Sequence, residues 1–143
     1  MAEPGGRPAA PQPQGAYQAA VVDGGLVLTA GMTPRIDGRL AVRGLVGGDV
    51  DLPTARRAAG IAARNAVAAA LNAVGEGGRL RRCLRLTVYV ACVEGFEELS
   101  AVADGASEVL RAEFGRLPVR SAIGVRALPS GAPVEVELTA GVD

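Results

Sequence analysis

The chain has 143 residues, 15 acidic and 15 basic, and is 49% hydrophobic but only 3% aromatic, with no His, no Trp and, among its basic residues, no Lys. Without His there is no Ser-His-Asp or Cys-His triad and no H-E-x-x-H zinc helix, and without Lys there is no Schiff base, pyridoxal-phosphate anchor or Walker lysine. Acid and base work is left to carboxylates, Tyr, Cys and water, and anion binding to Arg and backbone N–H groups.

The length suits one domain with a core of its own. The first fourteen residues, Met1 to Gln14, are a Pro/Gly/Gln/Ala segment too poor in apolar groups to offset the cost of ordering them. They read as a flexible arm, with residues 15–143 as the single folded domain. Two short apolar runs follow, Ala16 to Val22 and Leu26 to Ala30, separated by Asp23-Gly24-Gly25. That punctuation predicts a hairpin, because glycine supplies the positive φ of a tight turn. Gly31-Met32-Thr33-Pro34 ends the second strand, and Arg35 to Asp49 reads as irregular, with a turn at Asp37-Gly38 and a short strand near Leu40 to Val42.

Pro53 to Val74 predicts a helix, with proline in its first turn and Gly75 just past its end. Arg56, Arg57 and Arg64 mark its wet side, and Ile61, Val67, Leu71, Val74 and many alanines the opposite side, small enough to lie close on a sheet. Cys83 to Cys92 alternates with a period of two, Leu84, Leu86, Val88 and Val90 on one face and Arg85, Thr87 and Tyr89 on the other, as a half-buried strand does. At ~3.3 Å per residue the two thiols stand roughly 30 Å apart and cannot bridge each other. Two free thiols and the absence of a signal-like start predict a reducing, cytoplasmic setting. Phe96 to Phe114 predicts a second, amphipathic helix with Glu97, Glu98, Asp104, Glu108 and Glu113 mostly outward, closed by Gly115. Val119 to Ala127 and Val134 to Ala140 complete the chain as two alternating strands.

Strand, strand, helix, strand, helix, strand, strand predicts a two-layer α+β domain, with two helices on one face of a mixed sheet. The other face lacks a helical cover and, if apolar, should pack on another subunit. The neutral charge and an isoelectric point near 6.3 argue against nucleic acid as a partner. The tightest cationic group, Arg79, Arg81, Arg82 and Arg85, reads as a solvated turn and strand start. No apolar run is long enough for a membrane span.

The last two strands concentrate polar groups. Pairing them as a hairpin with their apolar positions aligned brings Arg120, Arg126, Glu135 and Glu137 onto one face, over a floor of Ala122 and Gly124. Arginine's planar fork suits a small carboxylate, and a nearby carboxylate can position or activate water. The same pattern also suits an amphipathic hairpin whose Arg/Glu pairs simply face solvent.

Pro118-Val119-Arg120-Ser121-Ala122-Ile123-Gly124-Val125-Arg126-Ala127-Leu128-Pro129, followed by Ala132-Pro133-Val134-Glu135-Val136-Glu137, resembles the C-terminal signature of the RidA/YjgF family, also labelled endoribonuclease L-PSP. Gly15-Ala16-Tyr17 resembles that family's Gly-Pro-Tyr lead-in to the first strand, and Thr29-Ala30-Gly31-Met32-Thr33-Pro34 its second strand end. The helix carrying Asn65 and the strand Leu86-Thr87-Val88-Tyr89-Val90 fall in the matching places. The resemblance implies a chorismate-mutase-like fold and a homotrimer whose sheets form a central barrel, with pockets in the clefts between subunits. It also implies hydrolysis of small enamines or imines, such as 2-aminoacrylate, to 2-keto acids and ammonia.

In that scheme Arg120 holds the substrate carboxylate, Glu135 orients or activates water, and Tyr17, Gly31, Ala122, Gly124 and Glu137 line the pocket. Neither a metal nor an organic cofactor is implied. A non-catalytic trimer that binds a small carboxylate is the alternative, and the neutral charge weighs against a ribonuclease. Ala122 stands where archetypal members carry Cys, and Gly124 where many have an acidic residue. Met32-Thr33 and the run Ala103-Asp104-Gly105-Ala106-Ser107 also depart, as in a divergent branch.

Overall fold

The computed structural model describes residues 9–143, so the first eight positions of the expected arm lie outside the described residues. β1 (Ala20–Asp23) and β2 (Leu26–Thr29) form the expected hairpin, with Gly24 and Gly25 at φ of 58° and 80° in a two-residue turn that needs positive φ at both positions. Asp37-Gly38 closes a second, smaller hairpin of β3 (Arg35–Ile36) and β4 (Arg39–Leu40).

Helix α1 (Leu52–Val74) begins where Asp51 Oδ1 accepts the Thr54 N–H at 2.9 Å, satisfying an N–H the helix cannot pair itself. Its inward stripe is alanine, with Ala55, Ala59, Ala62, Ala66 and Ala70 all buried. Ile61 and Leu71, expected on the sheet side, instead line an outer groove between the two helices, together with Val67. A helix this rich in alanine has two apolar sides, and close approach to the sheet selects the smaller one.

Helix α2 (Leu99–Phe114) starts three residues later than expected. Glu94-Gly95 makes a turn in which the Phe96 N–H bonds the Val93 carbonyl at 3.2 Å, and Phe96 packs beside Gly47. The two helices meet at Gly105, where an added Cβ would overlap the Arg56 carbonyl, and Gly60 lies beside the Gly105 carbonyl.

The helices cover one face of a five-stranded mixed sheet ordered β1-β2-β7-β5-β6. Its centre is the twelve-residue β5 (Leu80–Ala91), antiparallel to β7 (Val134–Val142) and parallel to β6 (Val119–Val125). The expected β6–β7 hairpin is therefore wrong: β5 lies between the two strands. The α2 crossover returns the chain parallel to β5, on one side of it. The turn at Pro129–Gly131 then carries the chain over the end of β5, where the Ala91 N–H meets the Pro133 carbonyl, and β7 pairs on the other side.

That order reassigns the faces. Leu86 stands opposite Arg120 and Leu138, Val88 opposite Ala122 and Val136, and Val90 opposite Gly124 and Val134; the valines and leucines of these rows are buried under the helices. Thr87 stands opposite Ser121 and Glu137, and Tyr89 opposite Ile123 and Glu135, on the open face. A bulge between the Cys83 and Arg85 pairs turns Cys83, rather than the expected Leu84, into the core. The open face is apolar at its margins, with Val21, Leu26 and Leu28 exposed at one side and Val119 and Ile123 at the other.

Candidate functional site

Glu135 is the most constrained carboxylate on the open face. Met32 exchanges two backbone hydrogen bonds with Val136, N to O at 2.7 and 2.9 Å, which holds Gly31 against β7. The Glu135 side chain then lies across Gly31, where any Cβ would collide with it. Gly31 is needed here for that close approach. Burial, followed by the negative charge of Glu137, pushes the Glu135 carboxyl above its ordinary value.

Glu137 shares this face two residues on, and the Tyr89 hydroxyl donates to its Oε1 at 2.8 Å. That bond, with burial and the two carboxylates behind it, raises the Tyr89 hydroxyl's own proton affinity. Glu135, Glu137, Tyr89 and Gly31 thus form one cluster.

Arg120 lies elsewhere. Its side chain, 21% exposed, is on the helix side of edge strand β6, where Nη1 donates to Asp104 Oδ1 at 2.7 Å and Ser107 Oγ at 3.0 Å, and Nη2 to Ser100 Oγ at 2.6 Å. Ser100, Asp104 and Ser107 follow at i, i+4 and i+7 and so form one stripe of α2. Among the described residues, three of the five guanidinium N–H donors are committed and two remain.

The shared face predicted for Arg120, Arg126, Glu135 and Glu137 is therefore split. Glu135 and Glu137 are on the open face, Arg120 is on the other, and Arg126 follows the end of β6. Ala122 and Gly124 belong with Arg120: Ala122 packs on the core, and Gly124 has Cys92 Sγ and Leu99 within 3.3 Å of where its Cβ would stand. They form a floor under α2 and not under the carboxylates. Tyr17 is 47% exposed, and its hydroxyl accepts the Gln14 N–H at 2.9 Å.

Tyr89 and the Ser100/Asp104/Ser107 stripe were missed from sequence. Tyr89 read as a strand residue, and Asp104 as one of several outward acids. The i, i+4, i+7 polar spacing was the available signal. Burial pushes the Cys83 thiol up to about 11, away from the thiolate form that nucleophilic attack requires. Among the described residues, no group of three or more His, Cys, Asp or Glu is placed to hold a metal ion, and no helix is long and apolar enough to cross a membrane.

Residues 7–142 match the family model described as Endoribonuclease L-PSP. The chain belongs to this family, the RidA/YjgF family. Protein TCP17 of Trypanosoma cruzi is 33% identical over 133 residues, 91% of this chain and 83% of the relative. The crystal structure of Atu1372 from Agrobacterium tumefaciens superposes with a TM-score of 0.82 at 36% identity, covering 90% of this chain and 82% of that one. A Shewanella oneidensis structure described as an endoribonuclease gives 0.86 at 27%, covering 94% and 91%. As a RidA/YjgF member, the chain has two helices packed on a mixed sheet, in the chorismate-mutase-like manner of the family.

Proposed function

We propose that the chain hydrolyses small 2-imino acids of the 2-aminoacrylate type to 2-keto acids and ammonia, in a pocket built between copies of itself. The observation that carries this reading is Glu135, a half-buried carboxylate held across Gly31 with its basicity raised by burial and by Glu137. A base tuned toward neutrality is what water activation needs.

Water adds to the protonated imine carbon as Glu135 takes its proton and the C=N electron pair moves to nitrogen. The carboxyl returns that proton to nitrogen, the C–N bond breaks with its electron pair leaving on ammonia, and the carbinolamine oxygen becomes the keto oxygen by giving its own proton to the freed Glu135 carboxylate, which passes it to solvent. The two uncommitted N–H donors of Arg120 take the substrate carboxylate. Positioning accounts for much of the rate, because the substrate is already electrophilic.

Arg120 and Glu135 are on opposite faces of one sheet, which supports drawing them from different copies. Imine generated by an amino-acid oxidase and trapped with semicarbazide tests the reading. Wild type accelerates imine loss, and Arg120→Ala and Glu135→Ala abolish the acceleration, by about 10²–10⁴-fold where a general base is removed. Mixing and refolding the two dead variants restores about a quarter of the activity, the share of composite sites with both groups intact in a cyclic assembly. No acceleration by wild type overturns the proposal, and failure to complement overturns the shared pocket.

A second reading is a non-catalytic carboxylate-binding protein, in which Arg120, fixed by Ser100, Asp104 and Ser107, anchors the ligand and no water is activated. Its signature is a ligand-induced rise in melting temperature without turnover.

A further inference from the structure

We propose that Tyr89 is a positioning residue for Glu135, acting through Glu137 on the open face of the sheet. The inference rests on the reading of Glu135 as the base. Tyr89 stands directly across from Glu135, and Thr87, two residues earlier on the same face, stands across from Glu137. The Tyr89 ring therefore starts beside one carboxylate and has the other within diagonal reach. Its hydroxyl takes the diagonal partner, Glu137 Oε1, at 2.8 Å. Glu135 is left across Gly31, with its carboxylate free for water.

This hydrogen bond decides where the Glu137 charge sits. A glutamate on an open strand face can turn its carboxylate outward into water and away from a like charge. One oxygen tied to Tyr89 keeps Glu137 beside Glu135 instead. The other groups facing Glu135 do not compensate. On β5, Arg85 lies beyond Thr87, with its Nη1 turned to Ser121 at 3.1 Å. On β6, Ser121 and Ile123 are uncharged, and so are Gly31 and Met32 beside β7. Among the described residues neither glutamate has a salt-bridge partner. After burial, the negative charge of Glu137 is what raises Glu135 above its ordinary value, and Tyr89 keeps that charge in range.

A titration of the full chain followed by carbon-13 NMR of the Glu135 carboxyl tests this without needing turnover. Tyr89→Phe removes the hydroxyl and keeps the ring. The Glu135 midpoint is expected to move down in pH in Tyr89→Phe and in Glu137→Gln. Because both act through one charge, adding Tyr89→Phe to Glu137→Gln should produce no further shift. An unchanged midpoint in Tyr89→Phe overturns the proposal, as does a shift that persists undiminished in the Glu137→Gln background. In an active enzyme the acidic limb of the kcat/KM profile moves down by the same amount in Tyr89→Phe. Inactive wild type with the titration coupling intact sinks the hydrolase reading alone, whereas active wild type with no coupling sinks the role of Tyr89 alone.

Discussion

In the proposed reaction Glu135 sets function against stability at a single residue. Its carboxyl holds its proton more tightly in the folded chain than in the unfolded one, where the ordinary value is 4.5. A group raised in this way contributes stability that is fully present below the unfolded value and is lost as the pH rises through the folded one. At neutral pH the ionised Glu135 therefore works against folding. Calorimetry should find Glu135→Gln melting higher than wild type at pH 7, with the gain shrinking as the pH falls through the raised folded value and gone below the unfolded value of 4.5, while imine hydrolysis is lost. A lower melting temperature at pH 7 would mean that the carboxylate is a net stabiliser. Glu135 was legible in sequence because a strand of Val-Glu-Val-Glu-Leu has an evident polar side. Its contact with Gly31 was not, because more than a hundred residues separate the two and long-range pairing, ending in the Met32–Val136 bridge, brings them together.

Among the elements, the packing of α1 on α2 is governed by one missing methyl group. Gly105 lies so close to the Arg56 carbonyl that an added Cβ overlaps backbone, which cannot swing aside as a side chain would. Gly105→Ala should cost about 1–3 kcal/mol through this overpacking, despite alanine's better helix propensity. Gly60→Ala places its Cβ at an ordinary 3.4 Å from the Gly105 carbonyl, and its urea midpoint should stay near or above the wild-type value. Equal losses at both positions would show that helix crossing does not discriminate them. The elements themselves were largely readable: Pro53 and Gly75 bound α1, Gly115 closes α2, and the strands alternate apart from the β5 bulge at Cys83, while α2 starts at Leu99, three residues later than expected. The alanines of the sheet-facing side of α1 were readable, but the place of Ile61 and Leu71 was not, because hydrophobicity ranks them above alanine while the available space ranks them below.

For the molecule as a whole, the open sheet face is the unfinished part. Val21, Leu26, Leu28, Val119 and Ile123 are exposed along its two margins, and apolar margins around a polar centre suit burial by further copies of the same chain. Light scattering should give three times the 14.4 kDa chain mass, and Leu28→Glu should shift it toward one, whereas a wild-type monomer would contradict the shared pocket as well. The sequence by itself determined the α+β class, the order of the main elements, both ends of α1, the close of α2 and the family, since all of these follow from local periodicity, capping residues and motifs in fixed order. It also singled out Arg120 and Glu135. Only the tertiary structure decided that β5 lies between β6 and β7, and therefore that these two residues occupy opposite faces. Strand order is a long-range choice: the α2 crossover and the turn at Pro129 put β6 and β7 on either side of β5, and no local pattern records which side each will take.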